Sequence, residues 1–414
     1  MLWTLSARIM WAGMQVMVLA LLARGLTPVT FAHVSIVMVA LQVVVMTNGF
    51  GLQRQIQLKR SEDARSPELP GLYALRLRFT YVSAIGWLVG CVVLSFTQHS
   101  RFPVEIAPLS LWLVSEQCTT IWNGINIVDN RSRELFASYA ARRLPPTVML
   151  IPALILDWNM VLTWSLSLTF GSTLAYLVTM NRQESWARLL WPFRRNSVIA
   201  HGVTLDVGYW FCLVGMELRD LDVAAVSAVS ASAGGVYALP ARLVRPMNLI
   251  TQAAGAVAFP RLVRRSVISR KHLMLGTLVG ISPATLIAAC VYVLAPVLPR
   301  VIGSEYRASI GALRILCFAA VMTAGITLFS TFLQARSSRA TTHAGVLVLA
   351  FAFAQIMFAS VGATINGGNG AAAGACLTQA VLLVLLLVRS LSECSVPQVS
   401  GSHDRRRRAP AHRA

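Results

Sequence analysis

Apolar residues in this chain gather into about a dozen runs, each near the length of a membrane-crossing helix, with short polar connectors between them. A helix needs ~20 residues to cross the hydrocarbon layer. The runs predict helices over 6–24, 31–50, 79–97, 106–128, 144–158, 160–180, 197–216, 222–242, 272–297, 311–333, 342–365 and 371–389. Three prolines (Pro145, Pro146, Pro152) blur the fifth, and Asp157, Trp158 and Asn159 alone separate it from the sixth, which predicts a tight hairpin. The fold class expected is an all-α polytopic membrane protein of about twelve helices.

The connectors alternate in charge. One set carries Arg54, Lys59, Arg60, Arg65, Arg76 and Arg78; then Arg131, Arg133, Arg142 and Arg143; then Arg182, Arg188, Arg194 and Arg195. The same set continues with Arg261, Arg264, Arg265, Arg270 and Lys271, and closes with Arg336 and Arg339. The intervening connectors are nearly neutral or acidic, holding Arg24, Arg101, Arg219, Arg300, Arg307 and, at a helix edge, Arg314 beside Glu105, Asp157, Glu217, Asp220, Asp222 and Glu305. Positive connectors stay in the cytoplasm, so both termini are expected there. No connector on the other side is long enough for an external catalytic or binding domain.

Composition fits this reading. Hydrophobic residues make up 56% of the 414, charged residues 13%, and the mean hydropathy is +0.64. The net charge of +20 could suggest nucleic acid, but the basic residues are dispersed between apolar runs, which excludes that class. Seven cysteines show no framework spacing and read as small hydrophobes. Nucleotide-binding, metal-binding and nucleophile motifs are absent from the sequence, so no cofactor is expected. The tail from 391, with Arg405 to Arg408, reads as a disordered basic segment that touches anionic lipids.

A few charges resist the topological explanation. Glu116 and Asp206 fall inside apolar runs, where a charge should face a cavity or a partner. Tyr209 and Trp210 share Asp206's face, which suits a wet cavity handling an ion, a proton or a sugar; a structural hydrogen bond would also account for it. Arg242 and Arg245, three residues apart beside Pro240 and Pro246, could clamp a phosphate or serve as ordinary snorkelling anchors. Gln42, Asn48, Asn123, Asn126, Gln355 and Gln379 are further lumen candidates, each open to a plain helix–helix hydrogen bond.

Ordered motifs add a resemblance. Leu21-Leu22-Ala23-Arg24-Gly25-Leu26-Thr27-Pro28, Phe31 and Gly51-Leu52 open the chain. Leu205-Asp206, Gly235 to Leu243 (through Tyr237, Pro240 and Arg242), Phe259-Pro260, and Gly303-Ser304-Glu305-Tyr306 with Ser309 follow in the second half. Together they resemble the polysaccharide (O-antigen type) flippases of the multidrug/oligosaccharidyl-lipid/polysaccharide exporter superfamily. Thr27 and Ala32 stand where that family has glycine, and the Ala and Arg after Tyr237 are displaced by one residue.

The resemblance implies two six-helix bundles, 1–196 and 197–390, around a central cavity in a bacterial inner membrane. The cargo implied is an undecaprenyl-diphosphate-linked oligosaccharide, with polysaccharide polymerase and export proteins as partners. Arg24, Arg242, Arg245, Tyr209, Trp210 and Tyr237 would bind it, and Asp206 and Glu116 would couple an ion. Two alternatives remain at this stage: a cation-coupled drug or small-molecule antiporter of the same superfamily, or a membrane polysaccharide polymerase or ligase.

Overall fold

The computed structural model describes residues 2–63, 66, 68–129, 131–180, 206–248, 251 and 269–394. The 181–196 connector with the proposed 196/197 boundary, Leu205, Phe259-Pro260, Arg261 to Arg265 and the tail beyond 394 lie outside them.

The chain is all-α and polytopic. Its helices are α1 (Leu2–Gly25), α2 (Pro28–Thr47), α3 (Leu52–Glu62), α4 (Leu69–Gln98), α5 (Phe102–Ile106), α6 (Leu109–Val128), α7 (Ser132–Ile155) and α8 (Met160–Met180). Then come α9 (Val207–Leu218), α10 (Asp222–Val229), α11 (Ala231–Val244), α12 (Arg270–Leu294), α13 (Leu298–Ile302), α14 (Ser309–Arg336) and α15 (Ser338–Glu393). The last is two limbs. Asn366 and Gly367 leave helical geometry, Gly367 at φ +52°, and Gly362 then meets Gly370 backbone to backbone as the second limb folds back. This is the turn predicted at 366–370. Small residues here let the limbs approach closely.

Among the described residues, six helices are long and apolar enough by themselves to span a bilayer, α2, α4, α14 and α15 being four of them. The others carry charge or are broken, and those departures shape the interior. Among the described residues, the basic connectors after α2 and α6 meet at one end, where Arg60 pairs with Asp129 at 2.8 Å; it is called the basic end below.

Hydropathy alone had cut several helices at their first arginine. The third crossing begins at Leu69, ten residues before the predicted start, and takes in Arg76 and Arg78. The fifth begins at Ser132 and takes in Arg133, Arg142 and Arg143. Arg76 is buried, donating to Gln117 Oε1 at 2.7 and 2.9 Å and to Gln53, while Gln117 Nε2 donates to the Val45 carbonyl at 2.6 Å. These groups lock α3 and α4 onto α2 and α6. An arginine with its donors met by side-chain carbonyls can sit inside a helix bundle.

The larger correction concerns the seventh and eighth crossings. An acidic connector was expected at 217–221, but the chain does not turn there. α9 passes through a 3-10 turn (Arg219–Leu221) straight into α10. The combined rod, 207–229, is ~34 Å long at 1.5 Å per residue, enough to span. Its turn is at Ser230, in extended geometry, whose hydroxyl caps α11 by accepting from the Ala233 N–H. The hairpin then runs antiparallel, with Gly234 against Ser227 and Tyr237 bonded to Asp222. Glu217, Arg219, Asp220 and Asp222 are therefore within the membrane span.

At the end opposite the basic one, the molecule is closed. Gly235 of α11 packs on Pro28 of α2, leaving no room for a Cβ. Tyr306, fully buried, donates to the Leu26 carbonyl at 3.3 Å and meets Phe31 edge-on at 6.3 Å.

Candidate functional site

Between the halves of the chain lies a cavity of about 480 Å³. It reaches from Tyr209 and Gln334 near the basic end to Trp112 and Trp164 in the far half. Five arginines (142, 143, 219, 242 and 245) line it against three carboxylates (Glu116, Glu217 and Asp220). Its two walls are built differently.

On the α6–α8 wall, Arg142 Nη1 donates to Glu116 Oε1 at 2.6 Å, and Ser172 Oγ donates to the other Glu116 oxygen at 3.0 Å. Both ionic side chains are nearly buried, at 7% and 12% exposure, so each is there because of the other. Beside them the Arg143 guanidinium lies over the Trp11 ring, 5.2 Å from its centroid.

On the α9–α11 wall, Arg245 pairs with Glu217 and, at 3.2 Å, with Asp220. The hairpin at Ser230 brings these groups level. Arg219 donates to Thr323 Oγ1 at 3.3 Å. Thr323 donates to Gln379 Oε1 at 2.6 Å, Gln379 to Gln355 Oε1 at 3.2 Å, and Gln355 to Asp222 Oδ2 at 2.8 Å. Tyr237 donates to the same Asp222 oxygen at 2.6 Å. This chain of side chains surrounds a second, small cavity of about 50 Å³. Gln355 lies mid-way along the first limb of α15 and Thr323 at the middle of α14, so the network sits near the membrane centre.

Arg242 is buried between α11 and α2. It donates from Nη2 to the Ser35 carbonyl at 2.5 Å; its Nε has no partner, and no carboxylate among the described residues pairs with it.

The sequence candidates thus sort unevenly. Glu116, Tyr209, Arg242 and Arg245 reach the main cavity, and Tyr237, Arg242 and Arg245 the small one. Arg24 does not: it is exposed in the last turn of α1, at the far end. Trp210 stacks on Phe50 at 5.4 Å and donates to the Thr47 carbonyl at 3.3 Å, making it part of the α2–α9 contact and not of the cavity lining.

Asp206 is the N-cap of α9, accepting from the Tyr209 N–H at 3.0 Å, and the predicted stretch 197–205 before it lies outside the described residues. Of the amide candidates, Gln42 lines the main cavity and Gln355 and Gln379 the small one, while Asn48 accepts from Ser83 at 3.0 Å. Sequence reasoning passed over Asp222, Asp220 and Arg143, assigning all three to connectors. The signal was present in the length of the apolar stretch from 207 to 229, which is one full span if its charges are allowed inside.

Neither a family model nor a curated protein sequence matches the chain. Solved structures do. A multidrug resistance MATE family transporter of the MOP superfamily, in an inward-facing conformation, aligns with a TM-score of 0.66 at 13% identity over 96% of this chain and 100% of that one. An outward-facing conformation of such a transporter aligns at 0.63, with 14% identity over 95% of each chain. The lipid II flippase MurJ, in an inward closed conformation, aligns at 0.66, with 10% identity over 94% of this chain and 89% of that one. At these identities the likeness establishes the fold alone: the two-bundle architecture those proteins share.

Proposed function

We propose that this chain is a flippase of a bacterial inner membrane that carries an undecaprenyl-diphosphate-linked oligosaccharide between leaflets by alternating access. The observation that carries the reading is the sign of the cavity. Five arginines face three carboxylates there, and Arg242, deep between the lobes, forms no ion pair among the described residues. A buried guanidinium without a carboxylate suits a diphosphate, which accepts paired N–H bonds. The likeness to the MurJ fold supports the same reading. The basic end is the cytoplasmic one, the cavity receives cargo from that side, and the contact of Tyr306 with Leu26 closes the other. No chemistry on the cargo is required, so the chain acts as a transporter.

We assign ion coupling to Asp222 in place of Asp206. That carboxylate accepts two hydrogen bonds near the membrane centre, beside a cavity of about 50 Å³, and is joined to the main cavity through Thr323 and Arg219. An exchange of ion or proton there would act on the α9–α11 hairpin, whose 3-10 turn is a natural place to flex.

A second reading, a cation-coupled antiporter of small molecules, draws on the same buried acids and on the multidrug transporters among the similar folds. One experiment separates them. Removing the chain from its cell should cause a lipid-linked oligosaccharide to accumulate on the inner leaflet, detectable by mass analysis. Increased sensitivity to cationic drugs with no such accumulation would favour the antiporter.

A further inference from the structure

Arg143 differs from every other arginine in the cavity. Among the described residues it makes no ion pair and no hydrogen bond. Arg142 has Glu116, Arg219 has Asp220 and Thr323, Arg242 has the Ser35 carbonyl, and Arg245 has Glu217 and Asp220. Arg143 has only a ring face: its guanidinium rests over Trp11, which itself stands 6.0 Å from Tyr139, beneath the Arg142 guanidinium at 5.4 Å. A π face attracts a cation without engaging an N–H donor. The ring therefore fixes the planar fork while leaving its five donors unspent.

Depth sharpens the point. Arg143 is three turns into α7, ~16 Å from that helix's basic end at 1.5 Å per residue. A charge at such depth is retained where it faces a partner or a cavity. This one is half-buried and lines the cavity. The neighbouring carboxylate, Glu116, is already taken by Arg142 and Ser172.

We propose that Arg143 is an oxyanion-binding residue on the wall opposite Arg242, so that an acidic cargo bridges the two lobes. The chemistry recognised is an oxyanion able to accept parallel N–H bonds. Two parts of the cargo could supply it: the lipid diphosphate or a uronic acid in the glycan. The anion affinity of Arg143 stands on the geometry above, and only the nature of the cargo rests on the flippase reading.

Binding to the full-length protein in detergent tests this, with farnesyl diphosphate and a glucuronate-containing disaccharide as probes. Arg143→Gln should weaken binding of at least one probe about tenfold, the loss of one or two charge-assisted hydrogen bonds. Its melting temperature without probe should stay near the wild-type value. Loss confined to farnesyl diphosphate names the diphosphate as the source, and loss confined to glucuronate names the sugar.

Arg143→Lys keeps the charge and the ring contact but not the fork, and should weaken binding about threefold. It serves if the glutamine variant does not fold. Unchanged affinity for both probes in whichever of these variants folds overturns the inference, as does a wild-type protein that binds neither. Wild-type protein that takes glucuronate through Arg143 but has no affinity for farnesyl diphosphate keeps the inference and sinks the lipid-linked reading. Loss of farnesyl diphosphate in Arg242→Gln alone does the reverse.

Discussion

The two walls of the cavity spend their charges differently. On the α9–α11 side nearly every polar group is committed: Arg245 to two carboxylates, Asp222 to Tyr237 and Gln355, and Thr323 to Gln379. On the α6–α8 side one tight pair, Arg142 with Glu116, stands beside an arginine held only by a ring. A closed network changes its energy when one proton or ion enters or leaves, because every neighbour feels the change. An open donor set changes little until a ligand arrives. Arg242 apart, the first wall is thus suited to coupling and the second to capture.

Breaking the committed pair on the capture wall should have the largest effect. Glu116→Leu leaves the Arg142 guanidinium without its counter-charge, at a cost of about 3–5 kcal/mol. It should appear as a lowered melting temperature of the purified protein. A Glu116→Leu, Arg142→Leu double variant should recover much of that loss; equal instability of the two would show that the pair is not the cause.

On the coupling wall, Asp222→Asn keeps a hydrogen-bond acceptor for Tyr237 and Gln355 but removes the charge. Ion-driven flipping in proteoliposomes should fall by roughly two orders of magnitude, about 2.7 kcal/mol in barrier, with farnesyl diphosphate affinity within about twofold of wild type. Retained ion dependence would move the coupling site elsewhere.

A subtler contrast lies between two arginines on one helix end. Arg242→Gln should weaken farnesyl diphosphate binding about tenfold, whereas Arg245→Gln, whose donors already serve Glu217 and Asp220, should change it less than about threefold. The reverse order would reassign the anion site. Smallest of all is Asp206. Asparagine caps a helix as well as aspartate, so Asp206→Asn should be nearly neutral, and Asp206→Ala should cost about 1 kcal/mol with ion dependence intact.

The crossings themselves were legible because lipid demands long apolar helices, and the turn at 366–367 and the hairpin at Asp157 were legible from their breakers. The charged interior was not. Hydropathy treats each residue alone, whereas Arg142 is made acceptable by Glu116, 26 positions away, and Arg245 by Glu217, 28 away. Such compensation is a property of packed helices and leaves no local trace. For the same reason Glu217, Arg219, Asp220 and Asp222 read as a loop when they are the middle of a span. Asp206, read as lying inside a helix, is the N-cap from which α9 starts.

The plug formed by Phe31, Tyr306 and the contact between Pro28 and Gly235 has an electrical consequence. A polar cavity open towards one side is a conductor at that side's potential, so the voltage across the membrane falls mainly over the thin sealed layer. There, 100 mV does ~2.3 kcal/mol of work on each elementary charge that crosses. A cation arriving at Asp222 from beyond the plug would therefore collect most of the membrane voltage before it met the carboxylate, and one arriving from the cavity would collect almost none.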